Sequence, residues 1–305
     1  IIYIMTTEII NENFKKQIIF LLNNHWTGKH DMYFPLQNAV NIERKHIIKL
    51  FKYKYVFYKK DTVNTKRAVL FLFKTSSGDN ISVVIFKDLS IYRIPLETLE
   101  EYYNGSIFEI SYTSDCITIY DAFLISGNKI NYQPFKERIS DVEMMINNSS
   151  SIHFNLMMLS FSEDIKTFTE IACDEELFML PMYLPILTGL NFSFFKWKPV
   201  EKIAYYLQVV EEENDLILMS SNFKKLIKFA RIYNENSNGN EYIKQIKNFK
   251  NYMNNCIIEF NIKFPEGKIL ITRVNPDKIY PTSIRLIEKV LFIKHENIKF
   301  EELCI

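Results

Sequence analysis

Glycine is scarce in this sequence, at 7 of 305 residues, whereas globular proteins usually contain about 7%. The glycines stand at positions 28, 78, 105, 127, 189, 239 and 267, so that no two are closer than 22 residues. This spacing excludes both the G-x-G-x-x-G dinucleotide motif and the G-x-x-x-x-G-K-[ST] phosphate loop. A nucleotide bound by this protein would therefore have to be held by side chains rather than by a glycine-rich loop.

Cysteine and histidine are also few, and neither is arranged as a metal site or a disulfide framework. The four cysteines form no C-x-x-C pair, and the five histidines form no H-x-H or H-x-x-x-H pair. We therefore expect no structural zinc, and free thiols in a reducing compartment. This is typical of an intracellular protein, which we expect to be cytoplasmic rather than nuclear.

Long hydrophobic runs and an excess of one charge are absent as well. The strongest apolar run, residues 177–187, is interrupted by Pro181 and Pro185 and falls short of the roughly 18 residues of a membrane span. We expect no membrane association. The 37 basic and 36 acidic residues nearly cancel, which argues against a general nucleic-acid coat but leaves room for a local basic groove.

Hydrophobic periodicity predicts four helices along the chain, with strands between them. Helical spacing of apolar residues predicts helices over 8–24, 41–51, 134–147 and 283–295. Alternation from Lys54 onward predicts consecutive strands, with turns at 76–80 and 265–268. Residues 160–180 mix both signals and remain unassigned. We expect a mixed-sheet domain over 1–204 and a smaller β-rich domain over 205–305.

Several short motifs follow one another in an order that is more specific than any of them alone. They are FP (34–35), AVNIERK (39–45), KYVFYKKD (54–61), GSIF (105–108), YDA (120–122), FKER (135–138), TGL (188–190), KWKP (196–199), IE (258–259) and RVNPDK (273–278). This order resembles that of the mRNA capping guanylyltransferases, with the viral single-subunit forms nearest. They belong to the covalent nucleotidyltransferase superfamily, which also contains the ATP- and NAD-dependent ligases. The resemblance covers residues 34–298.

The resemblance implies a fold, a reaction and a set of partners. The fold would be α+β, with a nucleotidyltransferase domain of two packed antiparallel sheets and flanking helices, followed by an OB-fold domain. In the family a lysine attacks the α-phosphate of GTP, and the lysyl-N-GMP intermediate passes GMP to the 5′-diphosphate end of RNA. An active member would need Mg²⁺ or Mn²⁺ bound to carboxylates. Its partners would be GTP, an RNA 5′ end, and capping or RNA polymerase subunits.

The nucleophile motif of the family, K-x-D-G-x-R, is altered in this chain. Matching K-x-D places the nucleophile at Lys59 with Asp61 in register, whereas gapless counting from the preceding strand places it at Lys60. In both registers the glycine is lost, and the arginine that would contact the ribose is displaced to Arg67. A strand end with solvated lysines explains the segment equally well.

Two later strands would hold the nucleoside. The glutamate of the family's D-G-E motif becomes Ser111 in gapless register, but Glu109 shares its strand face and is the candidate sugar or metal ligand. No other metal ligand is indicated. Tyr120 stands where the family has an aromatic ring that stacks on guanine. Alternatively, Glu109 is an ordinary strand carboxylate and Tyr120 is a tyrosine packed in the core.

The phosphate-binding motifs keep cations and lose acids. D-G-L-I corresponds to 188–191 and T-I-D-F to 202–205, both without their carboxylate. Lys196 and Lys198 alternate onto one strand face, where they would hold an α-phosphate or simply be solvated. Three residues of the last motif would reach the β,γ-phosphates: Arg273, Asp277 and Lys278.

These losses favour one interpretation over another. The residues that the fold needs, such as the strand hydrophobics, the turn glycines and KWKP, are kept, whereas the acids at three motif positions are lost or shifted. This pattern is expected of a protein that keeps the fold but no longer catalyses the reaction. The first hypothesis is therefore a guanylyltransferase-like protein with a degenerate site, acting as a non-catalytic binding or structural module of a viral-type transcription or capping assembly. The alternative is a divergent active guanylyltransferase that uses Lys59 or Lys60 as nucleophile, with Glu109 as a displaced ligand.

Overall fold

The chain forms two compact units in a computed structural model, residues 1–197 and 198–305, whereas the sequence suggested a boundary after residue 204. The structure describes residues 7–26, 35–61, 65–113, 115–151, 153–168, 175–184, 189–222, 225–234, 237–249, 252–263, 268–275 and 280–304. No helix in these ranges is long and apolar enough to cross a membrane.

The first unit alternates strands with three α-helices. In chain order its elements are β1 (Thr7–Glu8), α1 (Glu12–Trp26), β2 (Gln37–Asn41), α2 (Arg44–Lys52), β3 (Tyr55–Asp61), β4 (Lys66–Lys74), β5 (Asn80–Phe86), β6 (Ile91–Arg93), β7 (Ser106–Tyr112), β8 (Cys116–Ile125), β9 (Asn128–Lys129), α3 (Phe135–Asn147), β10 (Asn155–Met158), β11 (Glu175–Pro181) and β12 (Gly189–Trp197).

A larger sheet runs in the order β1-β6-β5-β4-β7-β8-β10, with β9 paired to β8. Its pairs are antiparallel except β8–β10. The central strand β4 is apolar throughout 68–73, and its alternation sends side chains into two cores. Val69, Phe71 and Phe73 pack with α1, and the residues between them pack with α3. Helices on both faces thus leave β4 buried.

A smaller sheet has the order β2-β12-β11-β3. Strands β11–β12 and β11–β3 are antiparallel, and β2–β12 are parallel. One face of this sheet packs on the larger sheet through an aromatic cluster, which joins Tyr58, Phe178 and Phe194 to Tyr120 of β8. Residues 160–180, which the sequence left unassigned, include a short 3-10 helix over Ile165–Phe168 and the start of β11.

The elements of the second unit are β13 (Tyr205–Glu212), β14 (Asp215–Asn222), β15 (Lys225–Ile232), α4 (Ser237–Lys247), β16 (Ile257–Lys263), β17 (Lys268–Val274) and α5 (Ile284–Glu296). Its five strands form one sheet in the order β15-β14-β13-β16-β17. Three strands joined in sequence, a helix, and a fourth strand returning beside the first give the Greek-key order of an OB-fold. The predicted fold class, α+β with two sheets followed by an OB-fold, is confirmed.

Candidate functional site

An arginine–glutamate pair connects strands β4 and β7 of the larger sheet. Arg67 Nη2 donates to Glu109 Oε1 and to the backbone oxygen of Gln37. Glu109 is buried, and it also accepts a hydrogen bond from the Gln37 backbone N–H at 3.4 Å. Burial by itself lowers the pKa of Arg67, but the adjacent Glu109 carboxylate raises it, and the net pKa lies above its ordinary value. The guanidinium is therefore permanently charged.

The aromatic cluster lies directly beside this pair. Tyr58 stacks on Phe178 with ring centroids 5.2 Å apart and on Tyr120 at 5.9 Å. Burial, reinforced by the charge of Glu109, raises the pKa of Tyr58 well above its ordinary value. The phenol consequently stays neutral. The rings of this cluster are buried and pack against one another where the two sheets meet.

A second ion pair, which is fully buried, lies beside the aromatic cluster. Arg138 of α3 holds Asp121 in a bidentate pair, with Nε–Oδ1 and Nη2–Oδ2 distances of 2.9 Å. Asp121 follows Tyr120 in β8, and it also accepts a hydrogen bond at 3.4 Å from the side-chain amide of Gln37. The predicted site residues Glu109, Arg67 and Tyr120 are thus brought together, and Gln37, Asp121 and Arg138 join them.

The two candidate nucleophiles lie next to each other on β3. Lys59 pairs in register with Leu177 of β11 and Lys60 pairs with Glu176. Successive side chains of a strand point to opposite faces, so half-buried Lys59 lies on the face opposite Tyr58 and the aromatic cluster. Asp61 pairs with Glu175 at the end of the same ladder. The side chains of Lys60 and Asp61 lie outside the described part of the structure.

Lys196 lies on β12 with a carboxylate partner that the sequence did not suggest. Its Nζ is 3.0 and 3.1 Å from the two carboxylate oxygens of Glu176 on β11. Alternation places Lys196 on the face of Phe194 and Glu176 on the face of Phe178, and both phenylalanines belong to the aromatic cluster. The pair therefore lies on the inner face of the smaller sheet.

Glu176 was missed because it lies in the segment with mixed signals. The acid was sought at 188–191, where Gly189–Asn191 instead begin β12 beside β2 and residue 188 lies outside the described ranges. The available signal was the Glu175–Glu176 pair directly before the apolar stretch 177–180. A carboxylate is thus present on the strand between β3 and β12, although not at the expected motif position.

The remaining predicted residues belong to the second unit. Lys198 is its first residue and is half-buried. Arg273 of β17 is exposed and pairs with Glu259 at 3.3 Å, and Tyr206 donates to the same carboxylate at 2.9 Å. Asp277 and Lys278 lie outside the described ranges. Within the described ranges, no three His, Cys, Asp or Glu residues cluster in a way that could hold a metal ion.

Comparison with known proteins gives two similar solved structures, while no family model matches the chain. The ligase domain of Mycobacterium tuberculosis LigD is 10% identical with a TM-score of 0.31, over 87% of this chain and 97% of that one. The ATP-dependent DNA ligase of bacteriophage T7, in complex with ATP, is 12% identical with a TM-score of 0.38, over 80% of this chain and 99% of that one. At these identities and scores, neither similarity assigns an activity.

Proposed function

We propose that this protein is a guanylyltransferase-like nucleotide-binding module whose site has lost catalysis. It would bind GTP or the 5′ end of an RNA within a viral-type capping or transcription assembly, next to capping or polymerase subunits. One observation carries the proposal. Groups that suit a nucleoside lie where the two sheets pack together, whereas Lys59, the lysine in K-x-D register, lies on the opposite face of its strand.

Each part of a nucleotide has a matching group in the first unit. The base would stack against Tyr120, the ribose hydroxyls would bind the Arg67–Glu109 pair, and a phosphate would be held by Lys196. Lys196 is about one-quarter exposed, so an anion can approach its Nζ. The phosphate would compete with Glu176 for this amine, which moderates its affinity.

The carboxylates Glu109 and Glu176 of the site are already paired with cationic side chains, which argues against metal-assisted transfer. Mg²⁺ usually binds through one or two free carboxylates together with substrate phosphates. Glu109 is occupied by Arg67 and Glu176 by Lys196. The arrangement described here therefore does not fit a resident Mg²⁺ or Mn²⁺, and the proposal includes no metal-dependent step.

A second candidate is active guanylyl transfer, and the register of β3 favours it. Lys60, unlike Lys59, pairs with Glu176, the residue that also binds Lys196. In this mechanism the Lys60 amine would lose its proton to solvent and form an N–P bond to the α-phosphate of GTP. The bond between the α- and β-phosphates would break, and pyrophosphate would leave. An oxygen of the β-phosphate of a diphosphate RNA end would then form a P–O bond to the GMP phosphorus, while the N–P bond breaks and the Lys60 amine is regenerated.

Two measurements on the full chain test these proposals. Isothermal titration with GTP should show binding, and incubation with α-labelled GTP and Mg²⁺ or Mn²⁺ should leave no label on the protein after denaturing electrophoresis. A labelled band that is lost in Lys60→Ala but kept in Lys59→Ala would replace the module by the active enzyme. If GTP, ATP and 5′-diphosphate RNA all fail to bind, both candidates are wrong.

A further inference from the structure

We infer that the outward side of helix α2 is a docking surface for an acidic, amphipathic helix of a partner protein. This side of the helix consists of Arg44, Lys45, Ile48, Phe51 and Lys52, and we call it the α2 surface. These positions follow one another at helical spacing and therefore share one face of the helix. The inference goes beyond the proposed function and does not depend on nucleotide binding.

The opposite side of α2 packs on the outer face of the smaller sheet. His46 is buried and stacks on Phe195 of β12 with ring centroids 4.7 Å apart, and Lys49 Nζ lies 5.9 Å from the centroid of the same ring. Phe195 points away from Phe194, its neighbour in the strand, which belongs to the aromatic cluster on the inner face. The smaller sheet therefore separates the α2 surface from the candidate nucleotide site.

Two large apolar side chains lie in the middle of the α2 surface. Ile48 is 72% exposed and Phe51 is 54% exposed, and the two are neighbours on the helix because they are three positions apart. A pair with this spacing matches the apolar residues through which one amphipathic helix packs on another. Ile48, the more exposed of the two, has no π face on which a nucleic-acid base could stack. A protein helix therefore fits this pair better than a single-stranded nucleic acid.

Cations flank the two apolar side chains, so that the partner must be acidic. Residues 44–54 contain five lysines or arginines and no aspartate or glutamate, although the whole chain has a net charge of only +1. Lys45 Nζ contacts the buried Glu43 carboxylate at 2.5 Å, yet the Lys45 side chain is still 70% exposed. A second copy of this chain does not fit as the occupant, because two α2 surfaces face to face would bring like charges together. Carboxylates beside an apolar stripe complement the surface.

The test measures binding of a labelled synthetic peptide to the full chain by fluorescence anisotropy. The peptide is helical, with leucines at positions i, i+3, i+4 and i+7 and glutamates beside them, and a scrambled peptide of the same composition is its control. The variants of the α2 surface are Phe51→Ala, Ile48→Ala and Lys52→Glu. Phe292→Ala is the matched control, because Phe292 of α5 is 51% exposed. Thermal unfolding reports on the folding of each variant, and Ile48→Ala replaces Phe51→Ala if the latter does not fold.

We expect the helical peptide to bind the wild type, and each variant of the α2 surface to weaken this binding about tenfold, whereas Phe292→Ala stays within about twofold. The scrambled peptide should bind at least about tenfold more weakly, because its leucines do not share a face. GTP titration of Phe51→Ala should give the same result as titration of the wild type. If GTP does not bind the wild type while the helical peptide does, the proposed function fails and this inference stands.

Four results would overturn the inference. They are no binding of the helical peptide to the wild type, equal binding of both peptides, variants of the α2 surface that bind like the wild type, and tighter binding of another probe that the same variants abolish. The other probes are a labelled oligouridine and phosphatidylserine vesicles. A result of the last kind would make the α2 surface a nucleic-acid or a membrane surface instead.

Discussion

Arg138 and Asp121 form a bidentate ion pair that is almost completely removed from solvent, with side chains 0% and 2% exposed. The carboxylate also accepts a hydrogen bond from the Ala122 backbone N–H at 2.8 Å, and the guanidinium donates to the backbone oxygen of Gln133. Burial raises the pKa of Asp121 and the charge of Arg138 opposes that rise. Neither charge can be removed alone without leaving the other uncompensated.

Arg138→Met should therefore destabilise the protein by about 3–5 kcal/mol, because Asp121 would be buried without its cation. The double variant Arg138→Met, Asp121→Leu should recover part of this loss. Urea unfolding checks both expectations. Lys136→Ala is the matched control on the same helix, since its pair with Glu163 is more than half exposed and should contribute below about 1 kcal/mol. A single Arg138 variant as stable as this control would contradict the prediction.

Gly105 precedes β7 with a φ of +108°, and a Cβ added there would lie 2.5 Å from His25 Nδ1. Gly105→Ala should thus lose stability through both backbone strain and collision. Gly78 has a φ of +90° and open space around it, so that Gly78→Ala reports on the strain alone, about 1–2 kcal/mol. We expect the Gly105 variant to unfold at least about 1 kcal/mol more easily than the Gly78 variant. Adding His25→Ala should remove this difference, and its failure to do so would exclude the collision.

Most of the fold could be predicted from sequence because its cues are local. The alternation of 68–74 and the turn at 76–80 define the β4–β5 hairpin, and the apolar spacing of 8–24 locates α1 at residues 12–26. The segment around β11 could not be assigned from sequence. A strand that is buried on both faces has no alternation of apolar and polar residues, and its apolar run cannot be distinguished from that of a buried helix. That one failure concealed Glu176.

The site was only partly accessible to sequence reasoning, for a different reason. Arg67, Glu109 and Tyr120 were found because motif order carries information about them. Their actual partners, Gln37 and Arg138, lie 30 and 71 residues from Arg67 along the chain, and only strand register brings them near. The choice between Lys59 and Lys60 likewise depends on which face a side chain occupies, and a bulge or loop of unknown length changes that face.

The burial of Lys294 predicts that the stability of the protein rises with pH in the alkaline range. It is fully buried in α5, where it donates to Val200 O at 2.7 Å and to Asn261 Oδ1 at 2.5 Å, and burial lowers its pKa from 10.5 to about 8. Above about pH 8 the folded state loses this proton while the unfolded state keeps it until about pH 10.5. The contribution of Lys294 to the free energy of unfolding therefore rises through this window, by up to about 3 kcal/mol, and is constant below it.

The corresponding measurement is the urea midpoint of the wild type and of Lys294→Met between pH 7 and pH 10. The difference between the two proteins should grow in favour of the wild type as the pH rises, because methionine does not titrate. Lys289→Met, on the same helix, is the matched control and should show a constant difference from the wild type. Parallel curves for wild type and Lys294→Met would show that the lysine is charged throughout.

The faces of the smaller sheet predict opposite effects for two of its lysines. Lys196 lies on the inner face with Glu176, whereas Lys59 lies on the face opposite Tyr58. Lys196→Met should weaken GTP binding about tenfold, because it removes a charge–phosphate contact and leaves Glu176 to repel the triphosphate. Lys59→Met should leave the dissociation constant within about twofold.

The readout is calorimetric titration at 50 and 300 mM KCl, since loss of a phosphate contact also reduces the salt dependence of binding. Lys196→Arg separates charge from shape and should keep most of the affinity. If Lys59→Met weakens binding as strongly as Lys196→Met, the nucleotide does not bind on the inner face, and the site must be sought on the other side of the sheet.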